Sequence, residues 1–412
     1  MVEALAAVGP TRAKACHGES RPDRTGCLVS LLGQESSNRI RIHAEAQFFL
    51  KQADRIVPRP KDRGFSLALG DLRRRCGHNW PHDAAVQGRP RGVDKIMESR
   101  WDALFPGQGA QFVGMGKWLY EGWSVCRECF AEADDALDYR LSSLIFDGPA
   151  DRLEATEWQQ PAILTVSVAS WRAVKHERPD FRPLAGLGLS LGEYSAYVAS
   201  GALQFADAVR LTRVRGQAMQ QAVPPGLGGM MAIVGLGREE VEALCQQAGG
   251  PGAVEPANYN APGQIVASGL RTGLDRLAPL VQAAGGKAVQ LAVSAPFHCS
   301  LLAPASHRLS EALAAIRLDA GAFPVIANVD AEPCSQPEDI IPRLIAQVSH
   351  PVHFEQGIRA ALAAGGEGFI EFAPGHGLAG LVKKVDRRVP VMSVENPAGL
   401  AKALELLVGA KL

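Results

Sequence analysis

Two rhythms of apolar and polar positions run through residues 97–412. Ala103-Leu104-Phe105 is a short apolar run closed by the turn Pro106-Gly107-Gln108-Gly109, which predicts a buried strand. Helical spacing follows through Trp118, Cys129 and Leu137, and Pro161 to Val174 reads as a second, apolar helix. Pro183 to Leu189 predicts a strand leading into a serine turn, and Tyr194 to Leu203 a helix rich in small residues. From about Gly226 the elements shorten. Met230 to Gly235 reads as a strand, Arg238 to Ala248 as a helix, and Val254 to Asn258 and Gln264 to Ser268 as two strands. Leu270 to Ala284 then reads as a helix and Ala288 to Val293 as a strand, completing the β-α-β-β-α-β order of a ferredoxin-like unit. A larger α/β domain resumes after Pro296 and ends in two strands, Gly368 to Phe372 and Pro390 to Ser393, separated by a helix. The expected division is therefore a core of 97–225 and 294–412 with 226–293 inserted into it.

Residues 1–96 lack this periodicity. They hold 17 basic against 10 acidic residues, whereas the remainder holds 26 against 33, so the net charge of zero conceals two regions of opposite sign. Short apolar pieces broken by Arg, Pro and Gly bury too little surface to offset their ordering entropy, which predicts a disordered basic extension. Ten acidic residues argue against an organelle transit peptide, and Met97 offers an internal start. The cluster from Cys76 through His78 to His82 has no second half to complete a metal site. For the whole chain, 47% apolar and 21% charged residues with no apolar run of about 20 predict a cytoplasmic protein without a membrane span. The zero balance points to no nucleic-acid or membrane partner. Eight cysteines without framework spacing predict free thiols, including Cys126 and Cys129, whose C-x-x-C spacing falls on a helix.

Within this frame one serine stands between two glycines, in Gly188-Leu189-Ser190-Leu191-Gly192. Strand, turn and helix around G-x-S-x-G are the setting of a nucleophile elbow. The competing reading makes Ser190 an N-cap and Glu193 the far half of a capping box. A serine nucleophile needs a base. His298, where the chain re-enters the larger domain, is the first candidate, and His376 between glycines is its rival. Oxyanion donors would be the backbone N–H groups of Leu191, which follows the serine, and of Gln108, in the turn after the first strand. Arg215 falls on the apolar stripe of Asp207 to Ala222, four residues after Leu211 and four before Met219. A guanidinium there is costly unless paired with an anion or richly hydrogen-bonded. Either an internal carboxylate such as Glu193 or the carboxylate of a substrate would serve.

Taken together, the segments FPGQGAQFVGMG (105–116), QPAILTVSVA (160–169), LGLSLGEYSAYVASGAL (187–203), FADAVRLTRVRGQAMQ (205–220), NYNAPGQIVASG (258–269) and SAPFHCSLL (294–302) resemble the malonyl-CoA:acyl carrier protein transacylases. These are the acyltransferases of fatty-acid and polyketide synthesis, and the likeness runs from about Trp101 to the C-terminus. The resemblance implies an α/β-hydrolase-like core with a ferredoxin-like subdomain. It implies malonyl transfer from coenzyme A to the phosphopantetheine thiol of an acyl carrier protein by a monomer, with no metal and no cofactor. By the same resemblance Ser190 is the acylated nucleophile, His298 its base, Gln108 and Leu191 the oxyanion hole, and Arg215 the grip on the malonyl carboxylate. Gln347 aligns with the residue whose main-chain carbonyl orients the histidine. Leu189 departs from the family's usual G-H-S-x-G, and Pro296-Phe297-His298 resembles malonyl-selective members. Two other readings stay open: a serine hydrolase on the same elbow, and a carrier-protein-binding module without catalysis.

Overall fold

The computed structural model describes residues 100–293 and 295–409. The extension 1–96, its Cys76–His82 cluster and Met97 lie outside the described residues. In chain order the strands are β1 Trp101–Phe105, β2 Gly186–Gly188, β3 Gly228–Val234, β4 Val254–Ala261 and β5 Gln264–Leu270. They continue with β6 Lys287–Gln290, β7 Val325–Ile326, β8 Pro333–Cys334, β9 Gly368–Phe372 and β10 Val391–Val394.

Six strands form one sheet in the order β10-β9-β1-β2-β7-β8, parallel except for the β7–β8 edge pair. Ala103, Leu104 and Phe105 are all fully buried, so β1 is covered on both faces, as a parallel strand between helices must be. On one face lies the helix Thr156–Glu177, tied to the sheet by Ser167, whose hydroxyl donates to the carbonyl of Ala373. The rings of Phe105, Phe372 and Trp171 pack around this contact, with Phe105 and Phe372 stacked at 5.1 Å between centroids. The helix Phe205–Gln221 crosses the other side of Thr156–Glu177 through Gly216, where a Cβ would come within 2.5 Å of the Thr156 carbonyl oxygen.

The remaining strands form a separate antiparallel sheet in the order β4-β5-β3-β6. Helices Arg238–Gln247 and Arg271–Ala283 follow β3 and β5 and cover one face, enclosing Ile233, Val241, Val254, Leu274, Leu277 and Val281. Met230, Ala257 and Val266 join the core of the larger sheet instead. The molecule is thus a mixed α/β fold with a largely parallel sheet. Among the described residues no helix is long and apolar enough to cross a membrane.

Several element boundaries differ from those expected. The last strand of the smaller sheet spans Lys287–Gln290 rather than Ala288–Val293, because its partners on β3 run only from Val234 to Met231 before the chain turns back to the core. β2 shrinks to Gly186–Gly188 because the turn into the next helix begins at once. The helix expected from Pro161 begins five residues earlier at Thr156, with Pro161 inside it. The missing proline N–H falls in the second turn, where nearly every neighbouring side chain is buried and packing holds the helix.

Candidate active site

Parallel strands end side by side, so the turns after β1 and β2 meet at one edge of the sheet, the usual place for ligands in α/β folds. After β2 the chain reverses within three residues. Ser190 has φ +54°, a left-handed backbone that a residue with a Cβ adopts only under constraint from its surroundings. The flanking glycines follow from contact distances. A Cβ on Gly188 would lie 1.9 Å from the carbonyl carbon of Gly192, and one on Gly192 would lie 2.1 Å from the carbonyl oxygen of Phe105. In the neighbouring turn a Cβ on Gly107 would lie 2.3 Å from the carbonyl oxygen of Leu189. Bare backbone at all three positions lets the two turns touch. Leu189 itself packs on an apolar cluster that includes Leu104, Leu187 and Ile326, so a leucine is accommodated there.

The capping-box reading does not describe this turn. Helix Gly192–Ser200 starts after Leu191, and the Ser190 N–H donates to the side chain of Asn328 at 2.7 Å. Glu193 turns inward, fully buried, and accepts from the Asn328 N–H at 3.0 Å and from Nε2 of Gln347 at 2.7 Å. Burial lifts its carboxyl to about 7, against the pull of those donors.

Ser190 Oγ lies 2.6 Å from Nε2 of His298, and Nδ1 of His298 lies 2.7 Å from the carbonyl oxygen of Gln347. A carbonyl can only accept, so Nδ1 carries the proton and Nε2 presents its lone pair to the serine. Burial, and next the nearby Arg215 charge, push the imidazole down to about 3, opposed only by the Gln347 carbonyl. The ring is a neutral base. We expect nitrogen-15 spectra of histidine-labelled protein to keep His298 in its neutral Nδ1–H form at pH about 5, where an ordinary imidazole is protonated. A protonated ring at that pH would contradict the assignment. The sign for stability follows from the same shift. The unfolded chain takes up a proton below 6.5 that the folded site refuses, so this group's contribution is full above 6.5 and declines as pH falls toward 3.

Arg215 reaches the same oxygen. Its Nη2 donates to Ser190 Oγ at 3.1 Å and to Oε1 of Gln347 at 2.9 Å, while Nη1 donates to Oε1 of Gln160 at 2.7 Å. The guanidinium is fully buried, its Nε has no hydrogen-bond partner, and it makes no ion pair among the described residues. Glu193, the candidate internal partner, acts on it only at longer range. Neutral amides hold a buried cation here, and that leaves its charge available to an incoming anion.

Neither the Gln108 N–H nor the Leu191 N–H donates a hydrogen bond among the described residues. The Gln108 side chain donates to Gln159 on the central helix, which holds the turn beside the elbow. His376 stands apart from this group, exposed and paired with Glu395. Cys126 and Cys129 are buried and unbridged, and burial pushes the Cys126 thiol up to about 12 and that of Cys129 higher still, so neither is poised for redox exchange. Among the described residues no group of His, Cys, Asp and Glu side chains could hold a metal ion.

Two residues of the site, Gln160 and Asn328, are absent from the sequence expectations, and a third, Glu193, takes a different role from those expected. Gln160 follows Gln159 on an otherwise apolar helix, and a buried amide there was a readable oddity. Glu193, a candidate cap or Arg215 partner by sequence, instead accepts from Asn328 and Gln347. Asn328 lies in a loop 138 residues from the serine, and nothing around it marks it.

Comparison with known proteins is consistent across sequence and structure. Residues 104–402 match the acyl transferase domain family. The malonyl CoA-acyl carrier protein transacylase of Bacillus subtilis is 45% identical over 308 residues, covering 74% of this chain and 96% of that protein. The crystal structure of an acyl carrier protein S-malonyltransferase from Vibrio cholerae superposes with a TM-score of 0.72 at 40% identity, covering 74% of this chain and all of the other. A malonyl-transacylase in complex with a type II PKS acyl-carrier protein superposes equally well, with a TM-score of 0.72 at 38% identity over 75% of this chain.

Proposed function

The chain belongs to the acyl transferase domain family, and from that membership we infer that it moves malonyl groups from coenzyme A to the phosphopantetheine thiol of an acyl carrier protein. The reaction supplies malonyl units to fatty-acid synthesis. A second setting, polyketide synthesis, is favoured by the relative that forms a complex with a type II PKS carrier protein. The observation that carries the assignment is Arg215, a buried cation with no carboxylate partner among the described residues, which touches the nucleophile's own oxygen.

In the proposed mechanism His298 Nε2 takes the Ser190 proton as Oγ attacks the thioester carbonyl of malonyl-CoA. The oxyanion rests on the N–H groups of Leu191 and Gln108. Collapse breaks the C–S bond, and coenzyme A leaves with the proton from His298, giving malonyl-Ser190. The carrier-protein thiol reverses these steps, so the kinetics are ping-pong. Exchange of thioester for ester consumes no electrons and needs no cofactor. Placing a carboxylate on Arg215 also offsets the charge that weakens His298, so the correct acyl group brings its own correction to the base. We assign the malonyl selectivity in part to Phe297, buried beside the histidine.

The finer fold assignment belongs to the same proposal. We read the larger sheet as an α/β-hydrolase-like core formed by 97–225 and 294–412, and 226–293 as a ferredoxin-like subdomain. The strand order β4-β5-β3-β6 and the separate core of the smaller sheet support it.

A hydrolase would use water in place of the second thiol. Its histidine is ordinarily oriented by a carboxylate, whereas Nδ1 of His298 meets a carbonyl. Incubation with malonyl-CoA and phosphopantetheinylated carrier protein separates the two. Malonyl-carrier is the expected product, and prompt release of free malonate in its place would reject the transferase.

A further inference from the structure

We infer that Asn328 is a positioning residue of the nucleophile, its side-chain amide bridging the two peptide groups on either side of Leu189 that lead into Ser190; this rests on the acyl-transfer reading above. Oδ1 accepts the N–H of Ser190 at 2.7 Å, and Nδ2 donates to the carbonyl of Gly188 at 2.7 Å. The amide has only one possible orientation, since an N–H can only donate and a carbonyl only accept.

The fold delivers this residue by register. β7 runs parallel to β2 with Val325 beside Gly186 and Ile326 beside Leu187, so the chain leaving β7 runs alongside the chain entering the elbow. Asn328 is then immobilised through its own backbone. Its N–H binds Glu193, its carbonyl accepts from the His353 N–H at 2.7 Å, and a tight turn follows in which the Ala331 N–H donates to Ala327. It is 4% exposed.

Two consequences follow for the reaction. A left-handed serine persists only where its neighbours over-determine it; the Asn328 bridge fixes the two peptide groups that lead into Ser190, while Nε2 of Gln347 donates to the Ser190 carbonyl at 2.9 Å and holds the peptide that follows. The bridge also occupies the Ser190 N–H. The nucleophile's own amide is thereby withdrawn from the oxyanion site, which leaves Leu191 and Gln108 as the donors.

The test measures single-turnover malonylation of Ser190 by rapid quench and intact-protein mass, together with the dissociation constant for malonyl-CoA. Asn328→Ala is expected to slow acylation about 100-fold, the scale of an ångström-sized misplacement, with the dissociation constant changed less than about threefold. Asn328→Asp keeps the volume and the acceptor but sets a carboxylate oxygen against the Gly188 carbonyl. Protonation turns that oxygen back into a donor, so the ratio of its rate to wild type should rise as pH falls from about 8 to about 5. The titratable groups around Asn328 are Glu193, Tyr197 and His353, with Arg215 and His298 beyond Gln347 and the Asp330–Arg343 pair in the same loop. All are present in both proteins, and Glu193, lifted to about 7 and bonded to the Asn328 N–H, titrates in the same window, so the ratio reads the substituted side chain together with its coupling to Glu193. Acylation of Asn328→Ala near the wild-type rate, a loss of affinity matching the loss of rate, or a flat Asn328→Asp ratio below one would each overturn the proposal. Absence of any malonyl adduct on wild-type protein would instead defeat the acyl-transfer reading, independently of Asn328.

Discussion

Ser190→Ala removes the malonyl-enzyme adduct and lowers transfer to carrier protein by about 10⁴-fold or more, the size of effect seen when an acyl-transfer nucleophile is deleted. The fold should survive. Alanine bears the same Cβ as serine, so it meets the same cost at φ +54°, and the Asn328 contacts are to backbone atoms that remain. What disappears is the oxygen shared by His298 and Arg215. Intact mass after incubation with malonyl-CoA should show one added malonyl group on wild type and none on the variant, with near-wild-type thermal stability. Equal labelling of both would place the acyl group elsewhere. No adduct on either protein, with wild-type binding of malonyl-CoA and carrier, would favour a binding module over an enzyme.

How far the site could be read in advance depended on how local each residue's reason is. The G-x-S-x-G run carries its requirements within five residues, because Gly188 and Gly192 answer to contacts made by the turn itself and by the adjoining strand. Arg215 was readable from periodicity, since a cation on an apolar stripe is anomalous wherever the helix packs. His298 needed the inserted sheet to be recognised first, and its edge was misplaced because the end of β6 is set by its partner β3 and not by its own composition. Gln347 came from family likeness alone. In the structure it binds the base through its main chain, and Arg215, Glu193 and the Ser190 carbonyl through its side chain. Asn328 depends on the parallel pairing of β7 with β2, and a two-residue strand offers no alternation to detect. Contacts that close over more than a hundred residues leave no pattern in a window of eighteen.

Arg215→Ala separates substrate recognition from support of the elbow, the two roles the proposed mechanism and the contacts of the guanidinium give it. Its contacts to Gln160, Gln347 and Ser190 are all within the protein, and losing them would disturb the nucleophile whatever acyl group arrives. A charge-assisted pair with a substrate carboxylate adds a loss that only malonyl feels, about 1.5–3 kcal/mol, or roughly 10- to 150-fold. The informative quantity is therefore the ratio of kcat/KM for malonyl-CoA to that for acetyl-CoA, in which the common structural loss cancels. We expect this ratio to fall by about that factor in Arg215→Ala. Arg215→Lys should recover only part of it, since an ammonium keeps the charge but loses the planar fork. On the proposed reading, acetyl-CoA leaves the buried cation facing neutral amides and leaves His298 under its field, so both binding and base strength disfavour it. Identical losses for the two substrates would assign Arg215 to holding Ser190 and Gln347 in place, and selection of the acyl group would then have to come from the shape of the pocket around Phe297.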